Sequence, residues 1–193
     1  ESTFLGARIA AGATGFIDTV AQPFQYRGAG DVDGIDLHRF GEALEVGWLR
    51  DPRYAGTVSG SFHAEGQGSD LGTMSLQGGG RLTRASLFGG ELLNADVSLS
   101  VADGSLEGGY NGEFRRIDPA VPFSDARYAA ALTGNGQGRI AVRDLLVRSP
   151  ALDDYTIEAA LELRDSSIRE FDGVSGRFAG ELGQGSLAIN QLD

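Results

Sequence analysis

Apolar and polar residues alternate along most of this chain, and the alternation is clearest between Val97 and Phe114. Because successive side chains of a strand point to opposite faces of the sheet, this pattern predicts two strands with one apolar and one polar face. The Asp103-Gly104 pair between them predicts a hairpin turn. The apolar positions of this hairpin are Val97, Leu99, Val101, Leu106, Tyr110 and Phe114.

The same alternation recurs on both sides of this hairpin and predicts further strands of one sheet. Their apolar positions are Val58, Phe62, Leu76, Leu82, Ile140, Val142, Ile157, Leu161, Leu163, Phe178 and Leu182. Glycine also occupies several positions that the alternation assigns to the apolar face, namely Gly60, Gly78, Gly80, Gly108, Gly112, Gly176 and Gly180. We expect these glycines to let the sheet bend and to leave room beside it, and ordinary turn and bulge chemistry is the alternative interpretation.

Other glycines are predicted to lie in turns. The Asp172-Gly173 pair predicts a second hairpin turn. Residues 28–30 and 134–138 are interpreted as turns, because they lack the sequence context of a phosphate-binding loop. The tripeptide Gly-Gln-Gly, at 66–68, 136–138 and 183–185, is placed at the ends of predicted strands.

One segment has a helical period instead. Leu37, Phe40 and Leu44 recur at helical spacing, and Asp36 can cap the first turn. We therefore predict a helix of about two turns, near 36–44, that packs against one end of the sheet. The predicted fold is all-β, with an elongated antiparallel sheet curled into an open groove and this one short helix.

The organisation is that of one elongated domain, 1–193, with weak internal similarity. The segment 51–55 (DPRYA) resembles 125–129 (DARYA), and each precedes a predicted strand. We interpret the chain as a fragment of a longer repeat array, with units at about 50–120 and 121–193. Repeats of this kind bury their faces by stacking on their neighbours.

Composition excludes several classes of protein. Glycine is abundant, at 30 of 193 residues, but follows no three-residue period, which excludes a collagen-like chain. The net charge is −11 and the arginines are scattered, so no nucleic-acid partner is expected. Without cysteine there is neither a disulfide nor a thiolate metal site. No apolar stretch approaches the length of a membrane span, and the start at Glu1 indicates an excised or processed chain.

Catalytic patterns are sparse. Neither His38 nor His63 belongs to a metalloprotease, nucleophile-elbow or His-carboxylate motif, so each is assigned a structural or solvated role. Residues 30–36 (GDVDGID) have the acidic spacing of a calcium loop. However, Asp36 stands where that loop needs glycine, and a turn followed by a helix cap is predicted. We predict no enzymatic activity, no cofactor and no metal site.

Residues 53–120 resemble the repeated β modules of AsmA-like proteins, which include the TamB-type translocation and assembly proteins of Gram-negative bacteria. Residues 138–146 and 161–193 continue the resemblance. The motifs that carry it are Gly-Ser-Asp-Leu (68–71), Ala-Ser-Leu (85–87), Leu-Leu-Asn-Ala-Asp (92–96), Ala-Asp-Gly-Ser-Leu (102–106) and the Gly-Glu-Phe and Ile-Asp-Pro-Ala of 112–120.

The resemblance implies an incompletely closed sheet whose apolar inner face shields phospholipid acyl chains between the inner and outer membranes. It further implies a periplasmic location, with the full-length protein anchored in the inner membrane through parts outside this sequence. A role in outer-membrane assembly, through an outer-membrane protein partner, is also implied. Under this hypothesis the apolar positions given above line a lipid groove, while headgroups remain in solvent.

Two other hypotheses remain open at this stage. One is a structural or adhesive β-solenoid module whose interior is packed dry by its own side chains. The other is a polysaccharide-active enzyme with a pair of carboxylates, drawn from the 27 acidic residues. A lipid conduit should retain phospholipid on purification, a solenoid should be free of lipid, and an enzyme needs two convergent carboxylates in a cleft.

Overall fold

The computed structural model describes residues 2–4, 7–43, 47–68, 70, 72–144, 151–183 and 186–193. In this part of the chain twelve strands form one antiparallel sheet, with 68% of residues in strands, which confirms the predicted fold class. The strands are β1 (Ser2–Phe4), β2 (Ala7–Ile9), β3 (Thr14–Asp18), β4 (Gln25–Asp36), β5 (Thr57–Gln67), β6 (Ser75–Leu87), β7 (Gly90–Ala102), β8 (Ser105–Ile117), β9 (Ala130–Val142), β10 (Tyr155–Ile168), β11 (Phe171–Gly183) and β12 (Ser186–Leu192).

The sheet is an open meander. From β4 to β12 each strand pairs with the next one in the chain, without a crossover. At the other side β2 and β3 both pair with β4, β3 along its first half and β2 along its second half. The terminal strands β1 and β12 do not pair with each other among the described residues, so the sheet is not closed into a barrel.

The predicted helix is present as α1 (Leu37–Ala43), directly after β4. The Asp36 carboxylate accepts hydrogen bonds from the backbone N–H groups of His38 and Arg39, at 3.0 and 3.1 Å, and so caps the first turn as predicted. Leu44 lies outside the described residues. A second helix, α2 (Ala120–Phe123), was not predicted, because a single turn is too short to show a helical period in the sequence.

The two predicted hairpin turns have different outcomes. Asp103 and Gly104 have φ angles of 50° and 73° and join β7 to β8, which confirms the first turn. The prediction for Asp172-Gly173 is wrong, because both residues lie inside β11. Gly173, at φ 70°, takes up a register shift against β10, and the chain turns earlier, at residues 169–170.

The prediction of turns at the glycine-rich segments 28–30 and 134–138 is wrong as well. The first lies inside β4 and the second inside β9, both in regular pairing with their neighbours. For the same reason the Gly-Gln-Gly at 136–138 is not at a strand end, whereas the one at 66–68 is. Gln184 and Gly185 of the third copy lie outside the described residues. The turn predicted within 30–36 is also strand, so only the helix cap at Asp36 holds there.

A band of β-bulges crosses the sheet and bends its strands. Register shifts occur in β4, β7, β8 and β10, near Gly34, Asn94, Arg116 and Asp165, whose φ angles lie between 46° and 75°. Bulges bend a strand and increase its twist. A run of bulges on neighbouring strands therefore bends the sheet across its width.

The sheet is a single layer over most of its area. The chain exposes 11833 Å² of surface, whereas a compact monomer of 20.2 kDa exposes about 8,800 Å². In the described part of the chain each long strand contacts mainly its two neighbours in the sheet. The helices lie between β4 and β5 and between β8 and β9, at one end of the strands.

Candidate functional site

The strand register brings all the predicted apolar positions onto one face, which we call the apolar face. Directly opposed residues of paired strands share a face, and such pairs link every one of these positions across β5 to β11. Two neighbouring rows cross the middle of this face, and we call them the central rows. One contains Phe62, Gly80, Val97, Tyr110, Gly138, Ala159 and Gly180, and the other contains Ala64, Gly78, Leu99, Gly108, Ile140, Ile157 and Leu182.

Burial varies across the apolar face in a regular way. Leu82, Ala85 and Ala95 form its core next to the band of bulges, and Ala95 is completely buried. In the central rows, by contrast, Leu99 remains 38% exposed and Ile140 36% exposed. The other members of the central rows are half-buried, and Gly180 is buried. Val101 and Val142, at the opposite end of the strands from the bulges, are buried too. The part of the apolar face that stays open to solvent is therefore the patch around Leu99 and Ile140.

Two tyrosines that lie far apart in the strand order influence each other electrostatically. Tyr155 begins β10 and belongs to the apolar face through its pairing with Val142, whereas Tyr54 precedes β5, five places away in the strand order. Burial raises the pKa of Tyr155, and nearby Tyr54 raises it further while Arg53 lowers it. Five strand spacings in a flat sheet are about 24 Å, a distance at which charges are largely screened. The sheet is therefore curled enough to bring Tyr54 and Tyr155 within electrostatic reach of each other.

The glycines of the apolar face allow this close packing rather than leaving cavities. A Cβ at Gly80 would collide with the carbonyl oxygen of Ser61, and one at Gly112 would collide with the Cβ of Ala95. Gly80 and Gly112 therefore serve the close approach of the strands and leave no room for a ligand, whereas a Cβ at Gly108 would first meet the Cγ2 of Ile140, at 3.1 Å. Gly138 is different, because a Cβ there would meet only the carbonyl oxygen of Glu158, at 3.3 Å.

The opposite face is polar, and among the described residues it carries shallow depressions. One depression of about 490 Å³ crosses β7 to β12 and is lined by residues that include Ser98, Gly109, Arg139, Glu158 and Glu181. A second, of about 520 Å³, reaches Leu99 and Ile140 at its border. These depressions are shallow and lie between charged side chains. The apolar face is therefore an extended open surface rather than an enclosed pocket.

Chemistry other than apolar contact is sparse in the described residues. They contain no group of three or more His, Cys, Asp or Glu side chains that could hold a metal ion. His38 Nδ1 lies 3.8 Å from Glu42 on α1, and His63 is on the polar face of β5. Asp33 accepts hydrogen bonds from Arg8 and from the Ser59 hydroxyl, so it holds β2, β4 and β5 together. Of the helices described, none is long and apolar enough to cross a membrane.

Tyr110 is the polar group of the central rows. Its hydroxyl donates a hydrogen bond of 2.6 Å to the carbonyl oxygen of Glu113, and its ring packs against the core beside the bulges. Burial raises the pKa of Tyr110 to about 12, and the charge of Glu113 acts in the same direction.

We expect this shift to make the protein less stable in alkali. A tyrosine in the unfolded chain ionises near pH 10, so the contribution of Tyr110 is fully present below pH 10 and is lost as the pH rises towards 12. In Tyr110→Phe the free energy of unfolding, from urea titrations at pH 8, 10 and 11, should fall less steeply with pH than in the parent protein. Equal slopes in the two proteins would contradict the assignment.

The alternation missed several members of the apolar face, and one bulge explains part of this. Asn94, with φ 46°, inserts an extra residue in β7, so Leu92 and Ala95 lie on the same face although their numbers differ in parity. Tyr26 was also missed, and it lies at the end of a strand on this face. The positive φ of Asn94 has no clear signal in the sequence. The shift of apolar positions from even numbers (Leu92) to odd numbers (Ala95) could, however, have indicated a bulge between them.

No family model, curated protein or solved structure matches this chain.

Proposed function

We propose that the apolar face binds the acyl chains of phospholipids and that this domain is a segment of a conduit for lipids. The observation that carries the proposal is the exposure of Leu99 and Ile140 in the central rows of a continuous apolar face. No second sheet or helical layer of the described residues covers these rows, and Leu99 and Ile140 are exposed there. An apolar strip of this length gains free energy when an apolar ligand removes it from water.

The geometry suits a chain-like ligand better than a compact one. Removing a methylene group from water contributes about 0.8 kcal/mol, so a gain spread along an acyl chain is large without any single strong contact. The open side of the sheet lets a headgroup remain in solvent while the chain lies on the central rows. Because the described residues offer no charged group on these rows, neighbouring positions along the face are nearly equivalent for the ligand, which favours sliding over fixed binding.

The wider setting is part of the same proposal. The motifs shared with AsmA-like proteins favour a periplasmic protein of Gram-negative bacteria that carries phospholipid between the inner and outer membranes. Anchoring in the inner membrane, and contact with an outer-membrane protein, would then depend on parts outside these residues. The net charge of −11 resides on the polar face and the loops, so the apolar face is the surface that a lipid can approach.

Photo-crosslinking tests this proposal directly. A benzophenone side chain introduced at Leu99 should crosslink to phospholipid when the protein is expressed in a Gram-negative host, and mass spectrometry of the purified protein should detect the adduct. The matched control is Ser98, the next residue, which points to the polar face. Lipid adducts at Leu99 but not at Ser98 support the proposal. Equal labelling of both positions, or no lipid at either, would contradict it and favour a domain whose apolar face is packed dry.

A further inference from the structure

Three of the bulges in the band take a backbone N–H group out of the regular pairing of the sheet. The residues concerned are Gly34 in β4, Arg116 in β8 and Asp165 in β10, whose φ angles are 75°, 53° and 47°. A bulge leaves its extra residue without a directly opposed partner, and the register gives these three residues none. A buried N–H group without a hydrogen bond destabilises a fold. The stability of each bulge therefore depends on another acceptor for this group.

In each case the acceptor is a side-chain hydroxyl group on the following strand. The three hydrogen bonds run from the N–H of Gly34 to Ser59 Oγ at 2.9 Å, from that of Arg116 to Thr133 Oγ1 at 3.2 Å, and from that of Asp165 to Ser175 Oγ at 3.1 Å. We call Ser59, Thr133 and Ser175 the bulge hydroxyls. Because the same contact occurs at three bulges that lie far apart in the chain, it is a property of the bend rather than of one strand.

Two of the bulge hydroxyls belong to residues that are also bound by a hydroxyl group on their other side. The carbonyl oxygen of Ser59 accepts a hydrogen bond from Thr83 Oγ1 of β6, at 3.0 Å. The backbone of Thr133 exchanges two hydrogen bonds with Ser166 Oγ of β10, at 3.0 and 3.1 Å, and Ser166 is completely buried. Hydrogen bonds of hydroxyl groups therefore follow the band of bulges from β4 to β6 and from β8 to β11.

Each bulge hydroxyl is followed by a glycine. The three tripeptides are Val-Ser-Gly at 58–60, Leu-Thr-Gly at 132–134 and Val-Ser-Gly at 174–176. A Cβ at any of these glycines would collide with a carbonyl oxygen, namely that of Arg81, Glu162 or Asp193. The hydroxyl group thus binds the preceding strand, while the glycine lets the following segment approach closely. Because each tripeptide lies opposite its bulge and not within it, the association is apparent only in the structure.

The fourth bulge provides an internal comparison. At Asn94 in β7 the register places Gly112 of β8 opposite the extra residue, and glycine has no hydroxyl group to offer. The two strands meet there through the close contact of Gly112 with Ala95. The bend therefore has two kinds of support, which are hydroxyl groups at the bulges of β4, β8 and β10 and direct contact at the bulge of β7.

We propose that the bulge hydroxyls are positioning residues that set the curvature of the apolar face. Each hydroxyl group holds its bulge at one place in the strand, and bulges held in line bend the sheet. Without the hydroxyl group, the N–H regains a partner if the bulge moves along the strand or is lost, and either change flattens the sheet. The curvature in turn determines how far the patch around Leu99 and Ile140 is open. This inference concerns the shape of the apolar face and is independent of the ligand that binds there.

A distance measurement by pulsed electron paramagnetic resonance tests the proposal. The chain has no cysteine, so Glu65→Cys on β5 and Glu181→Cys on β11 give two unique sites for spin labels, both exposed on the polar face. These strands would be about 28 Å apart in a flat sheet, and curvature shortens the distance. The test variant combines Ser175→Ala with Thr133→Val, which removes the hydroxyl group and keeps the shape. Its mean distance should exceed that of the parent by more than the width of the parent distribution.

The matched control combines Thr133→Ser with Ser175→Thr, which keep both hydroxyl groups and should keep the parent distance. Hydrogen exchange of the Arg116 and Asp165 amides, followed by NMR, should be at least about tenfold faster in the test variant and unchanged in the control. Far-UV circular dichroism and urea titration establish that both variants are folded. Ser175 is exposed, so Ser175→Ala alone provides the measurement if the double variant does not fold.

The distances then decide the matter. A longer distance confined to the variants without hydroxyl groups supports the proposal. A parent-like distance in the folded test variant overturns it, even where the amides exchange faster, because the bend would then not depend on these hydrogen bonds. An equal increase in the test variant and the control overturns it too, since side-chain packing rather than the hydroxyl group would then set the curvature.

Discussion

Replacing Leu99 with Asp should reduce the phospholipid bound per protein by more than about tenfold while leaving the sheet folded. Leu99 is in a central row and 38% exposed, so an introduced carboxylate can reach water and does not have to be buried in the core. The introduced carboxylate nevertheless keeps its hydration shell at the place where acyl methylenes would lie, and so it excludes them. Losing contact with only four methylenes, at about 0.8 kcal/mol each, lowers affinity by roughly a hundredfold.

The control for this change is the neighbouring residue on the other face. Ser98→Asp adds the same charge to the polar face, where it is solvated, and should leave bound phospholipid unchanged. Lipid is measured by extraction and mass spectrometry, and folding by far-UV circular dichroism and urea titration. Equal lipid content in Leu99→Asp and the parent protein would contradict a lipid-binding role for the central rows. Val97 is a poorer probe, because it packs against the core and a charge there would destabilise the sheet.

Replacing Gly112 with Ala should lower the free energy of unfolding by about 2–3 kcal/mol, the upper part of the range of about 1–3 kcal/mol that overpacked cores show. A Cβ at Gly112 collides with the Cβ of Ala95, which is completely buried and cannot move away without shifting β7. The site lies beside the bulge at Asn94, where the sheet bends. The prediction therefore tests whether the close approach of β7 and β8 stabilises the bent part of the sheet.

The matched substitution is Gly138→Ala, on the same face and the next strand. There a Cβ meets only the Glu158 carbonyl oxygen at 3.3 Å, and alanine should change stability by less than about 1 kcal/mol, in part because glycine weakens a strand interior. Urea titration of both variants gives the comparison. Similar losses at the two positions would show that glycine is required generally on this face, and would contradict a specific role for the Gly112–Ala95 contact.

Most of the strands could be predicted from the sequence, because the odd- and even-numbered residues of a strand point to opposite faces. In a half-buried strand one set is therefore apolar and the other polar. Val97, Leu99 and Val101 illustrate this, since their alternation alone places them on one face of β7. Errors arose where glycine had two physical roles. At 134–138 the glycines allow strands to approach closely inside β9, and at Asp172-Gly173 they take up a bulge, yet in both places the residue types match those of a turn.

The candidate site, too, could be predicted from the sequence only in part. Alternation predicted which side chains share the apolar face, but it could not separate buried members such as Leu82 from open ones such as Leu99. The burial of Leu82 and Ala95 depends on where the sheet bends, and the bend depends on bulges that the sequence marks only by a change of parity, as at Asn94. The influence of Tyr54 on the pKa of Tyr155 likewise joins residues far apart in the chain.

The amino-acid sequence by itself therefore determined an all-β protein with one apolar and one polar face and a capped helix at Asp36. These properties follow from local chemistry: side chains alternate along a strand, and Asp satisfies the first N–H groups of a helix. Only the tertiary structure decided how far the sheet bends and which part of its apolar face, around Leu99 and Ile140, is left uncovered. Those properties depend on the sum of twist and bulges over many strands, which no local pattern encodes.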